Sequence, residues 1–367
     1  MIQRRLHEAR STILSSDAYC CMEIRRSVRP RIDARQRDEF AWSYRSFLLY
    51  AQCVGGGVRA PGLFLESERV ACAVGLYEHY GGLAAHIVCP VGPDWLGSVR
   101  EMSLAWIHQR IVDRVYVRHL TVQRFTQLCS VGFKPSSAIP WLPCAHAEDE
   151  TYNHRLAVLE TIIDKDPEGL SVRILDLPGS KNYRRKLRQS VNRFENFLRS
   201  NRLAFELRPI TNSRDLRLAG GIVREHFDSL EAGGKRVGST ADDYTFLLED
   251  GLADGENTLS EMAWMLSDRC TLPIGVFLGE RVGVRRGGLY LTIARRSPSM
   301  LDGLDIGTRR GFTAVGQYIW SRVFFRAWEM GWREVDVGGS ETKSLDNFKR
   351  QLGCQERPTR WAVVGAL

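Results

Sequence analysis

The chain of 367 residues carries 51 Lys and Arg against 43 Asp and Glu, a formal net charge of +8 at pH 7, with 44% hydrophobic and 26% charged residues. This composition excludes an intrinsically disordered protein, and the absence of any apolar run of about 18 residues excludes a helical membrane span. Nine cysteines without a CxxC pair or a Cys/His zinc spacing predict reduced thiols in a cytoplasmic protein and no structural metal.

The first half of the chain predicts strands followed by a helix, a strand and a short helix. Residues 1–60 are arginine-rich, and a single helix is expected there, at Asp38–Gln52. Further on, alternating apolar residues predict strands, and apolar residues at helical spacing predict two helices. The strands are Arg69–Tyr77, Leu83–Cys89 and Val115–Leu120, and the helices are Trp95–Val112 and Thr121–Val131.

The second half repeats this order after a basic helix that begins near Lys181. Its predicted elements are the strands Leu203–Pro209, Glu261–Leu266, Leu272–Leu278, Val282–Arg286 and Leu289–Arg295, the helix Arg309–Met330, the strand Glu334–Val337 and the helix Ser344–Leu352. The pairs Gly279-Glu280 and Gly287-Gly288 are expected to form turns. We predict an α/β (α+β) protein with a segment 1–60 and two tandem modules, 61–170 and 171–367, each a mainly antiparallel mixed sheet flanked by helices.

Basic residues are concentrated in 171–217. Within the helix that begins near Lys181, apolar residues form one stripe, and Lys181, Arg184, Arg185 and Arg188 fall outside it. This excess predicts a polyanionic partner, either RNA or a phosphate-rich cofactor. The alternative is a solvated helix face in an arginine-rich protein.

Polar groups converge after the predicted strand Glu334–Val337. Asp336 lies on this strand, and two glycines after it allow close backbone approach to a ligand. Ser344 is a candidate N-cap of a helix whose N-terminus could hold an anion. The other polar candidates here are Gly338, Gly339, Ser340, Thr342, Lys343 and Lys349. The alternative is a glycine turn with surface lysines.

Several enzyme classes lack their motifs in this chain. There is no GxGxxG after a strand, no GxxxxGK[ST], no GxSxG and no HExxH. Their absence argues against dinucleotide enzymes, P-loop NTPases, α/β-hydrolases and zincins. The eight histidines form no nucleophile pattern, so covalent catalysis is not favoured.

Three stretches resemble a known family: D-x-G-G-S…L-x-x-F-K-R-x-x-G over 336–353, the basic run 181–194, and YLTIARRSP at 290–298. Together with the element order, they resemble the Fem-like peptidyltransferases and the related double-GNAT acyltransferases. The resemblance implies acyl transfer to an amine, with no permanently bound cofactor and no metal. Lys349 would then lie near the developing oxyanion, and Asp336 would orient or deprotonate the attacking ammonium, or else cap the glycine turn.

The resemblance also implies substrate contacts and a donor. Substrate contacts would come from Tyr290, Thr292, Gly338, Gly339, Ser340, Lys343 and Arg350. The GNAT pyrophosphate loop is absent, since the nearest segment, 305–315, has Gly307 and Gly311 at the wrong spacing. Fem-like enzymes lack this loop and use aminoacyl-tRNA, whose phosphates Lys181, Arg184, Arg185 and Arg188 would contact. We therefore expect transfer of an aminoacyl group from aminoacyl-tRNA to the amine of a small metabolite or peptide. The alternatives are an acyl-CoA donor and a non-catalytic nucleic-acid-binding or regulatory protein.

Overall fold

The computed structural model of the chain divides it into two compact units. Unit 1 comprises Met1–Asn153, Arg236–Asp243 and Pro358–Leu367, and unit 2 comprises His154–Lys235 and Tyr244–Arg357. The sequence placed the boundary at 170, whereas the structure changes unit at 153 and returns the last residues to unit 1. The structure describes residues 2–35, 42–52, 61–79, 82–135, 153–159, 163–165, 172–174, 181–233, 240–252, 258–268, 271–283, 285–294, 301, 309–339, 343–358 and 360–365.

Both halves of the chain contain helices and strands. The helices are α1 (Ile2–Leu14), α2 (Arg29–Ala34), α3 (Tyr44–Phe47), α4 (Trp95–His108), α5 (Val122–Ser130), α6 (Lys181–Ser200), α7 (Ser213–Ala232), α8 (Ala241–Leu252), α9 (Val315–Glu329) and α10 (Lys343–Gln351). The strands of the first half are β1 (Cys20–Glu23), β2 (Leu63–Glu66), β3 (Ala71–His79), β4 (Gly82–Val91), β5 (Arg114–Leu120), β6 (Lys134–Pro135), β7 (Asn153–Val158), β8 (Ile163–Lys165) and β9 (Val172–Ile174). Those of the second half are β10 (Ala204–Pro209), β11 (Thr258–Leu266), β12 (Thr271–Arg281), β13 (Arg286–Ala294), β14 (Glu334–Gly339), β15 (Gln355–Pro358) and β16 (Arg360–Gly365).

Each unit is built on a mixed, mainly antiparallel sheet, as predicted, and each sheet has seven strands among the described residues. The strand orders are β1-β2-β3-β4-β5-β16-β6 and β10-β11-β12-β13-β14-β7-β15. The β4–β5 and β13–β14 pairs are parallel. Each sheet also contains a strand from a distant part of the chain. In unit 2, β7 pairs with β14, and in unit 1, β16 pairs with β5 and β6. This reciprocal strand exchange explains why the last residues belong to unit 1.

The N-terminal residues are part of unit 1 and not a separate arginine-rich segment. Leu6, Ala9 and Ile13 of α1 are buried in the core of this unit, because their spacing places them on one face of the helix. The strand β1 pairs with β2 and extends the sheet. Residues 38–41 of the helix expected at 38–52 lie outside the described residues. The rest of that segment contains α3, which Ser43 caps, and a π-helical turn at Leu48–Gln52.

The core of unit 2 forms where α6 and α9 cover its sheet. Leu187 and Phe194 of the predicted apolar stripe are at most 1% exposed, and so is Phe197 of the same helix, which the stripe did not include. The Phe194 ring lies 4.7 Å from that of Tyr318 in α9. Because such rings bury large areas, α6 is anchored to the domain and presents its other faces away from the core. Among the described residues, no helix is long and apolar enough to cross a membrane.

The stability of unit 2 should depend on pH through a buried acid. Glu261 of β11 is 4% exposed and accepts a hydrogen bond from Arg326 Nε at 2.9 Å. Burial raises the pKa of Glu261 and outweighs the opposing effect of Arg326. The folded state therefore holds a proton that the unfolded state loses, so the free energy of unfolding falls as pH rises from 4.5 through the raised pKa.

Glu261→Gln is expected to flatten this dependence, because glutamine does not titrate. The measurement is the urea midpoint of both proteins between pH 4 and 7. Glu249→Gln, at an exposed acid of α8, is the control and should keep the wild-type slope. Equal slopes in the wild type and in Glu261→Gln would contradict the assignment.

Candidate active site between two parting strands

The candidate site lies in unit 2, where two parallel strands separate. The strands β13 and β14 pair at Arg286↔Glu334, Gly287↔Val335 and Gly288↔Asp336. The first pair is locked by an ion pair in which Arg286 Nε lies 2.7 Å from Glu334 Oε2. After Gly288 and Asp336 the register ends, although both strands continue. The separation leaves a gap whose floor is the last pair.

A β-bulge at Tyr290 separates β13 from its neighbour. The register of β12 and β13 passes from Leu278↔Leu291 to Gly279↔Leu289, so Tyr290 is the extra residue. A bulge bends its strand and re-aims a side chain. The Tyr290 hydroxyl donates to Glu280 Oε2 at 3.2 Å, and a Cβ on Gly288 would lie 3.2 Å from this hydroxyl. Gly288 therefore leaves room for the phenol.

The other side of the gap is the irregular end of β14 at Gly338 and Gly339, called the glycine turn here, and two charged side chains hold it. Asp336 Oδ1 accepts a hydrogen bond from the Gly338 N–H at 2.7 Å, and Gly338 has φ +72°. Lys349 Nζ donates to the carbonyl oxygens of Gly338 at 3.1 Å and Gly339 at 2.6 Å. Asp336 is 2% exposed and Lys349 is 4% exposed. An acid and an ammonium thus fix the end of β14.

This geometry is consistent with either role predicted for Asp336. Its bond to Gly338 is the turn-capping bond, and its position on the gap floor is the one expected of a residue that orients an amine. Lys349 is not a surface lysine, in contrast to the plainer interpretation of this turn. A buried ammonium retains a strong field because little water screens it.

The other predicted substrate residues are spread along the same elements. Thr292 lies on β13 beyond the bulge, and its Oγ1 is buried without a hydrogen-bond partner in the described part of the chain. Arg350 is exposed on α10. Ser344 lies inside the first turn of α10, which begins at Lys343, so it is not the N-cap that the sequence predicted. Ser340 and the side chain of Lys343 lie outside the described residues.

The predicted phosphate-binding residues lie on α6. Lys181, Arg184 and Arg185 are in its first half, and their side chains lie outside the described residues. Arg188 is half-buried on the same helix. The helix itself packs on unit 2 through its apolar stripe, so its basic residues remain candidates for a polyanion surface.

Two segments that were predicted as turns lie inside strands, and one of them contains a further residue of the candidate site. Gly279 and Glu280 lie inside β12, and Gly287 and Gly288 lie inside β13. A Cβ on Gly279 would lie 3.0 Å from Gly288 O, so the glycine permits close strand approach and makes no turn. Glu280, which the sequence analysis placed in a turn, is 1% exposed beside Tyr290. The signal available in the sequence was an acidic residue within a stretch of mostly apolar strand residues.

The corresponding place in unit 1 is filled by packed side chains. There β4 and β5 pair as far as Val88↔Arg118. Arg118 is 1% exposed, stacks 4.9 Å from the Tyr50 ring centroid and donates to Tyr50 O at 3.3 Å. No glycine turn and no lysine take these positions among the residues described in unit 1. The candidate site of unit 2 therefore has no counterpart among these described residues of unit 1.

Among the described residues there is no group of three or more His, Cys, Asp or Glu that could hold a metal ion. No protein-family model and no curated protein matches this sequence.

Solved structures match the chain over most of its length. A conserved protein of unknown function from Bacteroides thetaiotaomicron has a TM-score of 0.61 at 9% identity, covering 95% of this chain and all of its own. FemX has a TM-score of 0.54 at 11% identity, covering 94% and 97%. The C-terminal domain of a protein designated a lysylphosphatidylglycerol synthetase from Agrobacterium fabrum has a TM-score of 0.54 at 13% identity, covering 93% and 92%. At these identities the likeness establishes the fold alone, and this chain therefore has the fold of FemX and of the Agrobacterium domain.

Proposed function

We propose that this protein is an N-acyltransferase that forms an amide bond. It transfers an aminoacyl group from aminoacyl-tRNA to the amine of a small metabolite or peptide. The observation that carries the proposal is the gap between β13 and β14, with the Tyr290 bulge on one side and the glycine turn held by Lys349 on the other. The gap brings backbone dipoles and a buried ammonium to one place.

Such a gap suits the tetrahedral intermediate of acyl transfer. When an amine attacks an ester carbonyl, negative charge develops on the carbonyl oxygen, and preorganised donors and cations stabilise it. Lys349 supplies a fixed positive charge, since two carbonyl oxygens hold its Nζ. Asp336 keeps the Gly338 N–H and the turn in one orientation. No covalent enzyme intermediate is needed in this scheme.

Packing at Gly311 supports aminoacyl-tRNA over acyl-CoA as the donor. Of the two glycines in the segment nearest to a pyrophosphate loop, Gly311 lies among the described residues. Its φ is +100°, and a Cβ there would lie 2.7 Å from Arg193 O and 3.1 Å from Phe197 Cβ. This glycine therefore serves close packing against α6. Gly307, the other glycine of that match, lies outside the described residues.

The likenesses in fold point the same way. The chain shares its fold with FemX, and its motifs resemble those of Fem-like enzymes, which use aminoacyl-tRNA. The Agrobacterium domain belongs to a protein whose name specifies a lysyl group joined to phosphatidylglycerol. A lysyl group is an aminoacyl group, so this name supports the aminoacyl donor proposed for this chain. The basic helix α6 supplies a surface for the tRNA phosphates.

A comparison of the two donors tests the proposal. Thermal unfolding is followed with aminoacyl-tRNA and, separately, with acetyl-CoA, since a ligand that binds the folded state raises the midpoint. We expect aminoacyl-tRNA to raise it and acetyl-CoA to leave it unchanged. Stabilisation by acetyl-CoA together with none by tRNA would replace the proposal with an acyl-CoA-dependent enzyme.

Charge reversal on α6 should weaken tRNA binding. Reversing Lys181, Arg184, Arg185 and Arg188 to glutamate removes four cations, and each lost phosphate contact lowers the slope of log K against log salt by about 0.7–0.9. The measurement is the salt dependence of binding to deacylated tRNA by filter retention. Arg217→Glu, an exposed change on α7, is the control. A loss of the same size per charge in the control would show that the α6 residues are not special.

A further inference from the structure

A second acid lies across the gap floor from Asp336. Glu280 pairs with Gly288 and Gly288 pairs with Asp336, so the three residues form a row across β12, β13 and β14. Residues directly opposite each other project to one face of a sheet, and two strand spacings of about 4.8 Å place the two acid backbones about 10 Å apart. The middle residue is a glycine, so it places no side chain of its own between them.

The contacts on this face place a phenol above the glycine. Tyr290 extends over Gly288 and donates its hydroxyl hydrogen to Glu280 Oε2. Glu280 is 1% exposed, whereas Tyr290 is half-buried. The accessible group of the pair is therefore the phenol, with a buried carboxylate behind it.

Polar groups continue along the row. Thr258 lies directly opposite Glu280 on β11 and is 9% exposed. Its Oγ1 has no hydrogen-bond partner in the described part of the chain, and neither does the hydroxyl of Ser260 on the same face. Buried hydroxyls are costly when unpaired, so this face is more polar than packing alone requires.

This arrangement favours a cation that carries N–H donors. A phenol that gives its hydrogen to a carboxylate presents oxygen lone pairs to a donor, and hydrogen bonds to a charged group are about twice as strong as neutral ones. A buried carboxylate attracts a positive charge more strongly than an exposed one does, because less water screens it. A neutral alcohol gains little from that charge.

We propose that Tyr290 and Glu280 form the recognition site for the acceptor, and that the acceptor is a primary amine bound as its ammonium ion. Tyr290 contacts the ammonium, and Glu280 is a positioning residue that orients the phenol and supplies the charge. The site names the acceptor class of the proposed transfer reaction and rests on that function. It favours an amine over an alcohol as the acceptor, and the bound ammonium must pass one proton to a base, the role considered for Asp336, before its nitrogen can attack.

A binding measurement that needs no acyl donor tests this site. Full-length protein is labelled with 3-fluorotyrosine, and the Tyr290 resonance is assigned by its loss in Tyr290→Phe. The probes are n-propylammonium, 1-propanol and tetramethylammonium, which differ in charge and in N–H donors. We expect n-propylammonium to shift the Tyr290 signal saturably, whereas the other two leave it in place. The absence of a saturable shift would overturn the proposal.

Two variants at Glu280 separate charge from shape. Glu280→Gln keeps the size and an oxygen acceptor for Tyr290, and we expect it to weaken n-propylammonium binding about tenfold. Glu280→Asp keeps the charge and should recover part of the affinity. Glu249→Gln, an exposed change on α8, is the control and should bind as the wild type does. Unchanged affinity in Glu280→Gln would overturn the proposal, and if that variant fails to fold, the three probes on the wild type still decide.

The two proposals can fail separately. Saturable ammonium binding without any acyl transfer would leave this site standing and remove the proposed transferase function. Transfer to amines with the same acceptor KM in the wild type and in Glu280→Gln would support the transferase function and overturn the assignment of this site.

Discussion

Replacing Lys349 with methionine should lower acyl transfer on the order of 100-fold, the loss typical of removing one oxyanion-stabilising group. Methionine keeps the length of the side chain but removes the ammonium that donates to the carbonyl oxygens of Gly338 and Gly339. The measurement is single-turnover transfer from aminoacyl-tRNA at saturating enzyme. Binding of tRNA should stay within about twofold of the wild type, because the contacts of Lys349 lie in the glycine turn and not on α6.

Stability must be separated from catalysis in this variant. Two carbonyl oxygens lose a buried donor, which costs about 1–3 kcal/mol. Lys349→Gln can still donate to a carbonyl and should recover stability without recovering the transfer rate. Lys134→Met, at an exposed lysine of unit 1, should change neither. Full transfer by Lys349→Gln would show that the ammonium charge is not used in the reaction.

Gly287→Ala should be among the most destabilising single substitutions in unit 2. A Cβ at this position would overlap Cε3 and Cζ3 of Trp332, which is fully buried. Overpacking a core costs about 1–3 kcal/mol and sometimes more, and a rigid indole cannot swing aside, so we expect a loss of about 3 kcal/mol. Urea unfolding followed by far-UV circular dichroism measures it.

A double-mutant cycle checks the cause. Trp332→Leu alone creates a cavity, but it also removes the ring that the new methyl would meet. The Gly287→Ala/Trp332→Leu pair should therefore be less destabilised than the sum of the single changes. Gly221→Ala, in the middle of α7 with nothing within 4 Å of the new methyl, should stabilise slightly. Strict additivity in the cycle would exclude the overlap as the cause.

Local pattern predicted the elements whose cores depend on nearby residues. The apolar stripe of α6 is buried at Leu187 and Phe194, and the short helix after β5 begins at the cap Thr121. The glycines of β12 and β13 were misinterpreted as turns, because glycine is common both in turns and where two strands approach each other closely. The side chains of Trp332 over Gly287 and Tyr290 over Gly288 show that these glycines serve close packing. Both contacts are tertiary, so local sequence does not reveal them.

Pairing between distant segments was beyond the reach of local pattern. Both β7 and β16 are short and join sheets whose other strands lie far away in the sequence. Their apolar residues specify a strand but not a partner. The predicted boundary at 170 consequently missed the transfer of β7 to unit 2.

The candidate site was predictable where its residues are adjacent in sequence. Asp336, Gly338, Gly339 and Lys349 lie within one strand–turn–helix segment, so their approach follows from local geometry. Glu280 is more than fifty residues away from Asp336 and joins the row through strand register. A shift of one residue in that register would turn Glu280 to the other face, and no local pattern sets it.

The most direct test of the proposed function is the fate of the acyl group. Aminoacyl-tRNA carrying a radiolabelled amino acid is incubated with the protein and a set of primary amines, and the label is followed by thin-layer chromatography and mass spectrometry. We expect label to move from tRNA into an amide with at least one amine, Lys349→Met to prevent this, and acetyl-CoA not to substitute as the donor. Acetyl transfer from acetyl-CoA to those amines, with the aminoacyl-tRNA left intact, would contradict it.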